Sequence, residues 1–330
     1  MDNQKNRRTV SIAMATYNGE TFLNEQLTSF LNQSIYPDEL IVCDDRSTDN
    51  TLSILREFST TSPFKVEIYE NETNLGYGRN FSKALSICNG DIVFLSDQDD
   101  IWHDNKLETM LSLIEEHNNY QLFMHDAKLV TGDLRPLPDT KIERTKRLYG
   151  NLNNFVQGSC SAIRRDLIKI LLPIPTSVIA HDNWIAKIAQ LLDARIVTEE
   201  QLMEYRIHGE NTSPFHINNP NGSTTIKWLL EKLSRRKAAS ELLGNELTQV
   251  REIRKRVNDI DRRDPIFRNK KKREFLTFTD AIVISLENRT KIRISPIATR
   301  LVLAISMLRR KEYHTYHNGM YSFYRDLLLF

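Results

Sequence analysis

Three carboxylates, Asp97, Asp99 and Asp100, fall within four residues directly after the apolar run Ile92-Val93-Phe94-Leu95. Like charges held this close repel and raise one another's pKa values. Such a cluster persists when it is well solvated or when a cation compensates it. Hard divalent cations favour carboxylate and phosphate oxygens, so an Asp-x-Asp turn beside a nucleotide pocket would suit one. Two more polar stretches also follow apolar runs. Residues 10–15 are succeeded by Thr16-Tyr17-Asn18-Gly19-Glu20, and residues 39–43 by Asp44-Asp45-Arg46-Ser47.

The elements that must position these residues alternate. Short apolar runs at 10–15, 39–43, 65–69 and 92–95 read as strands. Helical spacing follows each of them: over 20–33, after the N-cap candidates Ser47-Thr48-Asp49, over 79–88, and over 104–117. Near-continuous apolar strands alternating with amphipathic helices predict an α/β fold, with a mostly parallel central sheet covered by helices on both faces. In such sheets ligands bind outside the carboxyl ends of the strands, so the three polar loops converge on one edge. Further along, 122–130 and 158–163 are strand-like, 182–192 is helical, and 131–154 reads as a loop. The stretch HINNPNGS at 216–223 reads as a linker. It divides the chain into a domain at 1–215 and a mostly helical region at 216–330, marked by Leu243, Leu247, Val250, Ile253, Val257 and Ile260.

With 330 residues, 40% hydrophobic and 27% charged, the chain can bury a sizeable core. Its net charge of +2 hides an asymmetry. Residues 1–215 carry 21 Lys and Arg against 31 Asp and Glu; residues 216–330 carry 24 against 12. Opposite signs argue for two jobs. Cys43, Cys88 and Cys160 share no metal-type spacing and read as buried free thiols of a reducing compartment. The polar start MDNQKNRRTV carries no apolar signal-peptide core, and no uncharged apolar run of spanning length occurs, so the expected location is cytoplasmic.

Familiar phosphate-binding motifs are missing. There is no GxxxxGK[ST], and the G-x-G of Asn74-Leu75-Gly76-Tyr77-Gly78-Arg79 has Phe81 where a dinucleotide fingerprint needs glycine. Four stretches in order, VSIAMATYNGETFLNEQLTSFLNQS, IVCDDRSTDNT, NLGYGRNFSKAL and DIVFLSDQDDIW, together resemble the family 2 glycosyltransferases with the GT-A fold. The resemblance covers about residues 8–215. HDNW at 181–184 and YRIHGENTS at 205–213 resemble the branch holding bacterial rhamnosyltransferases and related O-antigen or capsule enzymes.

That resemblance implies roles. Tyr17 would stack on or pack against a pyrimidine base, and Asp45, with Asp44 alongside, would accept the base N3–H. The alternatives are a packed turn tyrosine and an Asx turn at a strand end. Thr16, Asn18 and Gln98 belong to the same donor-binding loops, with Glu20 and Arg79 as weaker candidates; Glu20 alternatively is a first-turn helix acid. Asp99 would be the metal ligand, Asp97 would bind metal or ribose, and Asp100 would support them or cap the next helix. His208 would be the third protein ligand of Mn²⁺ or Mg²⁺, the imidazole suiting Mn²⁺ better; the alternative is a structural histidine. Asp182 would be the general base of an inverting transfer, or else only a helix N-cap. Family members often carry Glu-Asp there. Here His181 precedes Asp182, as a candidate modulator of its pKa, and Trp184 one turn on either stacks on an acceptor sugar or packs.

The reading is therefore a metal-dependent, inverting glycosyltransferase. The resemblance favours dTDP-rhamnose as donor, with a UDP-hexose as runner-up, and a growing oligosaccharide or polyprenyl-linked saccharide as acceptor. The basic tail, with Arg235-Arg236-Lys237, Arg254-Lys255-Arg256 and Arg309-Arg310-Lys311, is either a solvated face or a docking face for the anionic inner leaflet. In the docking case, apolar side chains near Trp228 or at 282–284 add insertion. A nucleic-acid-binding protein, motivated by the tail and by Lys270-Lys271-Lys272-Arg273, is the reading from another class. The tail lacks a recognition motif with interleaved aromatics, so no nucleic-acid partner is expected. A non-catalytic sugar or nucleotide binder is a third reading.

Overall fold

The computed structural model describes residues 8–176, 178, 180–209, 236–317 and 319–328. By contacts the chain divides into two compact units, Met1–Pro220 and Asn221–Phe330. The predicted linker at 216–223 and Trp228 lie outside the described residues.

The first unit is built on one nine-stranded sheet. Its strands are β1 (Val10–Thr16), β2 (Glu39–Asp44), β3 (Lys65–Glu70), β4 (Ile92–Ser96), β5 (Ile101–Trp102), β6 (Leu122–Thr131), β7 (Pro136–Thr140), β8 (Ser161–Arg164) and β9 (Arg195–Ile207). The helices between them are α1 (Leu23–Leu31), α2 (Thr51–Thr61), α3 (Tyr77–Ile87), α4 (Lys106–Glu116), α5 (Lys141–Tyr149), α6 (Arg165–Leu171) and α7 (His181–Leu191). The order across the sheet is β3-β2-β1-β4-β8-β6-β9-β5, with β7 on β6. β3, β2, β1 and β4 run parallel, and β8 is antiparallel to both β4 and β6. Strands β2 and β4 are buried along their whole length, which is why they read as apolar runs without alternation.

This order decides where ligands go. The chain leaves β1 toward β2 and β3 on one side and returns to β4 on the other. That reversal opens a crevice beyond the carboxyl ends of β1 and β4, where Thr16–Glu20 and Asp97–Asp100 lie.

Several local expectations are corrected. Residues 131–154 are not a plain loop: they form β7 and α5. The helix is closed by a capping box between Thr140 and Glu143 and ends at Gly150 in the left-handed conformation. The T-x-x-E spacing was the available signal. Helix α2 starts one residue beyond its expected caps, at Asn50, and Asp49 instead accepts from the Thr51 amide. Asp100 does not cap α4; the N-cap position there is Asn105. All three cysteines are free and buried, and burial pushes the Cys43 thiol up to about 11.

The described part of the second unit is helical, with α8 (Arg236–Asn258), α9 (Lys272–Ile294), α10 (Ile297–Arg309), α11 (Glu312–Tyr316) and α12 (Gly319–Leu328). Ile292, Ala304, Met307, Tyr313 and Phe323 form one apolar core. Asp326, fully buried, accepts from Arg289 at 2.6 Å, from Arg293 at 3.0 Å and from the Tyr313 hydroxyl at 3.1 Å. Part of the basic character is thus consumed internally. Arg254 pairs with Asp280, Arg256 with Glu252, and Lys272 donates to the Asn258 and Ile260 carbonyls.

Removing one partner of a buried charge network costs about 3–5 kcal/mol. Asp326→Asn is therefore expected to loosen this unit, raising amide exchange in α9 and α12 by ~10²-fold. Exchange measured by mass spectrometry checks this, and unchanged protection would show that Asp326 holds little.

Candidate functional site

The loops after β1, β2 and β4 meet residues from the 157–158 turn, α7 and β9 around a cleft of about 590 Å³. That volume suits a nucleotide-sized ligand. Of the residues singled out from the sequence, Thr16, Tyr17, Asn18, Asp45, Asp97, Gln98, Asp99, His181, Asp182 and His208 line it.

At one part of the cleft, Asp45 is held rigidly. Its Oδ1 accepts from Asn71 Nδ2 at 2.8 Å and from the Leu75 amide at 2.7 Å; its Oδ2 accepts from the Gly76 amide at 2.8 Å. Gly76 has φ +82°, a conformation that suits glycine alone among common residues. The G-x-G of the sequence therefore grips a carboxylate of the protein itself. Oδ2 retains room to accept one more hydrogen bond. Asn80 steadies this corner by donating to the Cys43 carbonyl at 2.7 Å and accepting from Asn71 at 2.9 Å. Nothing in the sequence separates Asn71 and Asn80 from ordinary turn and helix asparagines.

Tyr17 is half exposed at the cleft. Gln98 fixes its backbone reciprocally, accepting from the Tyr17 amide at 2.8 Å and donating to its carbonyl at 3.0 Å. A Cβ at Gly19 would meet Gln98 Oε1 at 2.4 Å, so a side chain there would push the Gln98 amide off the Tyr17 backbone. Asn18, at φ +46°, ties the loop across to β2 by accepting from the Thr48 amide at 2.8 Å.

Four sequence candidates do not face the cleft; for Trp184 this is the packing alternative. Asp44 is fully buried and accepts from Thr16 Oγ1, from the Ser47 amide and from Ser47 Oγ, so it braces the loops rather than facing the cleft. Glu20 precedes α1 and accepts from the Asn50 amide at 2.9 Å, outside the cleft lining. Arg79 is exposed on α3, whose buried face is formed by Gly78, Asn80, Phe81, Ala84 and Leu85. Trp184 is fully buried, with Nε1 donating to the Leu171 carbonyl at 3.1 Å; it packs and reaches no acceptor.

The carboxylate cluster sits across from α7. One ligand atom from each of Asp97, Asp99 and Asp100 lies within 4.8 Å of the others. Burial, then the charges of Asp99 and Asp182, push the Asp97 carboxyl up to about 7. Asp100 is buried and raised well above the carboxylate range by burial and by its two neighbours; its Oδ1 accepts from the Arg206 amide at 3.2 Å, and its Oδ2 meets no hydrogen-bond partner among the described residues. His208 Nε2 lies 2.8 Å from Asp99 Oδ2. Repelling carboxylates, an orphaned buried oxygen and an imidazole are a donor set that fits a hard-to-borderline divalent cation. Asp99, Asp97 and His208 are the residues that would hold it.

One organiser was not legible in the sequence. Arg206, buried on β9, donates to the Asp99 carbonyl at 2.9 Å, to the Gly132 carbonyl at 2.6 Å and to Glu25, and lies 4.4 Å over the Phe22 ring. Phe22 also packs against His208, ring centroids 4.8 Å apart. Thus β9, absent from the sequence reading, delivers both the imidazole and the clamp on the acidic turn. Two buried lysines lie close by. Lys106 donates to the Ser159 carbonyl and is drawn down to about 7 by burial; Lys141, over the Tyr205 ring, is drawn down to about 8.

Asp182 is the second residue of α7, whose N-cap position is Ala180, so the cap alternative falls away. It lines the cleft with Asp97 and Asp99. His181 beside it is buried and stacked on Phe81 at 4.0 Å, and burial lowers its pKa against the pull of Asp182. A neutral imidazole there adds no charge to the acid.

Residues 11–172 match the family described as Glycosyl transferase family 2. That segment, residues 11–172, is a family 2 glycosyltransferase domain. The chain is 38% identical over 109 residues to the dTDP-rhamnosyl transferase RfbG of Shigella flexneri, covering 32% of this chain and 38% of that one. It is 34% identical over 124 residues to the Escherichia coli UDP-Glc:alpha-D-GlcNAc-diphosphoundecaprenol beta-1,3-glucosyltransferase WfgD, covering 36% and 48%. The chain thus spans less than half the length of these two curated relatives. The structure of S. aureus TarS in complex with UDP superposes with a TM-score of 0.53 at 20% identity, over 93% of this chain and 89% of that one. At that identity the likeness is one of fold, and the fold is GT-A.

Proposed function

We propose that the family 2 domain transfers a sugar, with inversion, from a pyrimidine nucleoside diphosphate sugar to a saccharide acceptor in bacterial surface polysaccharide synthesis. The observation that carries this reading is the single cleft that places Asp182 with the Asp97–Asp99 turn and His208, and Asp45 and Tyr17 with both. The Asp45 carboxylate would accept the N3–H that uracil and thymine share, and Tyr17 would pack on the ring. Asp97, Asp99 and His208 would hold a divalent cation, which would supply charge neutralisation of the diphosphate leaving group. Asp182 accepts the proton of the acceptor hydroxyl as that oxygen bonds to the anomeric carbon. The bond to the diphosphate breaks on the opposite face, and the nucleoside diphosphate leaves with its electron pair.

The named relatives divide on the donor: RfbG is a dTDP-rhamnosyl transferase, WfgD takes UDP-Glc. We read dTDP-rhamnose as the leading donor and a UDP-hexose as the second, Asp45 serving either base. A polyprenyl-linked acceptor, as WfgD's name describes for that enzyme, would place the chain at the cytoplasmic membrane face. Among the described residues no helix is long and apolar enough to cross a membrane.

A thermal-shift panel of dTDP-, UDP- and GDP-sugars with and without Mn²⁺ tests the reading. Ligand at 100 times Kd adds about 2.7 kcal/mol, a rise of about 5 °C or more in a domain of this size. Pyrimidine donors should stabilise only with the cation. An equal response to GDP-sugars would remove Asp45 from base recognition.

A further inference from the structure

We infer that helix α10 is an interfacial element that lies in the surface of an anionic membrane. This builds on the membrane-facing reading of the acceptor above, but a separate observation carries it. α10 is apolar nearly all round: between Ile297 and Leu308 its one charged residue is Arg300, which is buried and donates to the Arg293 and Ser295 carbonyls. The stripe Arg300, Ala304 and Met307 faces the core of its unit. Beside and behind that stripe the helix is left to solvent, with Ile297 66%, Leu301 48% and Val302 68% exposed, and Ile294 at the preceding corner 80% exposed. A helix apolar on both faces belongs in a core or in lipid. Thirteen residues span about 20 Å, too short for a bilayer core of about 30 Å, so α10 can lie in the interface but not cross it.

The charge around this face selects its occupant. From residue 288 to residue 311 the chain contains no Asp or Glu. Lys291, Arg309, Arg310 and Lys311 flank this segment in the chain and are exposed, Arg310 also meeting Glu312. A second copy of the chain would bring these cations against one another, which opposes association through this face. An anionic lipid surface supplies the missing negative charge together with an apolar medium for Ile294, Ile297, Leu301 and Val302. The insertion residues expected from the sequence differ. Trp228 lies outside the described residues; in the 282–284 run Ile282 is buried while Ile284 is 57% exposed, so that run keeps one side chain at the surface.

The test is co-sedimentation of the full chain with phosphatidylglycerol-containing vesicles and with pure phosphatidylcholine vesicles. The full chain should sediment with the former, less with the latter, and release in high salt. Leu301→Glu/Val302→Glu alters exposed positions only, so unfolding should be unchanged while the partition coefficient falls at least ~10-fold. Equal sedimentation of variant and parent would overturn the inference, as would no preference for anionic vesicles. A dimer by light scattering that the variant abolishes would overturn it in favour of self-association. Nucleotide-sugar thermal shifts on the same samples keep the two readings apart. If they fail while vesicles bind, the transferase reading falls; if the reverse, only the membrane inference does.

Discussion

Asp99→Asn is expected to abolish turnover while the fold survives. Asp99 shares its cluster with two other carboxylates and faces His208 Nε2 at 2.8 Å, so its loss removes charge and, on the proposed reading, a ligand of the cation. Asparagine keeps the size, and the acidic turn is held independently by the Arg206 bond to the Asp99 backbone carbonyl. Lewis-acid stabilisation of a leaving diphosphate amounts to several kcal/mol, hence a loss of ~10³-fold or more at 1.36 kcal/mol per tenfold. The variant should also lose the Mn²⁺-dependent part of donor stabilisation in a thermal-shift assay. Full activity of the parent protein in EDTA would sink the metal reading outright.

Asp182→Asn is expected to separate chemistry from binding. Asp182 shares the cleft with the carboxylate cluster, close enough for its charge to raise the Asp97 carboxyl, yet among the described residues it accepts no hydrogen bond from the loops that hold Asp45 and Tyr17. Its hydrogen bond among the described residues, Oδ1 accepting from the Asn183 amide at 2.8 Å, is local and survives in asparagine. A positioned general base contributes about 10²–10⁴-fold, so kcat should fall at least ~10²-fold with donor affinity unchanged. Steady-state kinetics alongside donor titration measures both. A near-normal kcat would leave Asp182 as a first-turn acid of α7 and nothing more.

The sequence by itself determined the α/β architecture of the first unit. Strands β1, β2 and β4 are buried on both faces, so apart from Ser11 and their end residues their composition is apolar and does not read as exposed chain. It also placed Asp97, Asp99, Asp45 and Tyr17 on one edge, because parallel strands all end on the same side. The second half of the sheet was less legible. β9 mixes exposed and buried positions and carries register shifts against β6, so no period stood out. Only the tertiary structure decided which polar residues face the cleft. Asp44 and Asp45 are adjacent in sequence, yet hydrogen bonds from Thr16 and Ser47 consume the first, while Asn71, Leu75 and Gly76 present the second. Trp184 and Asp182 lie two residues apart on α7, and the helix turns one into the core and the other into the cleft. Composition sets which segments must be buried. Which hydrogen-bond partner each buried polar group finds depends on residues distant in the chain, as Arg206 does for a turn 107 positions away, and local sequence carries no record of that.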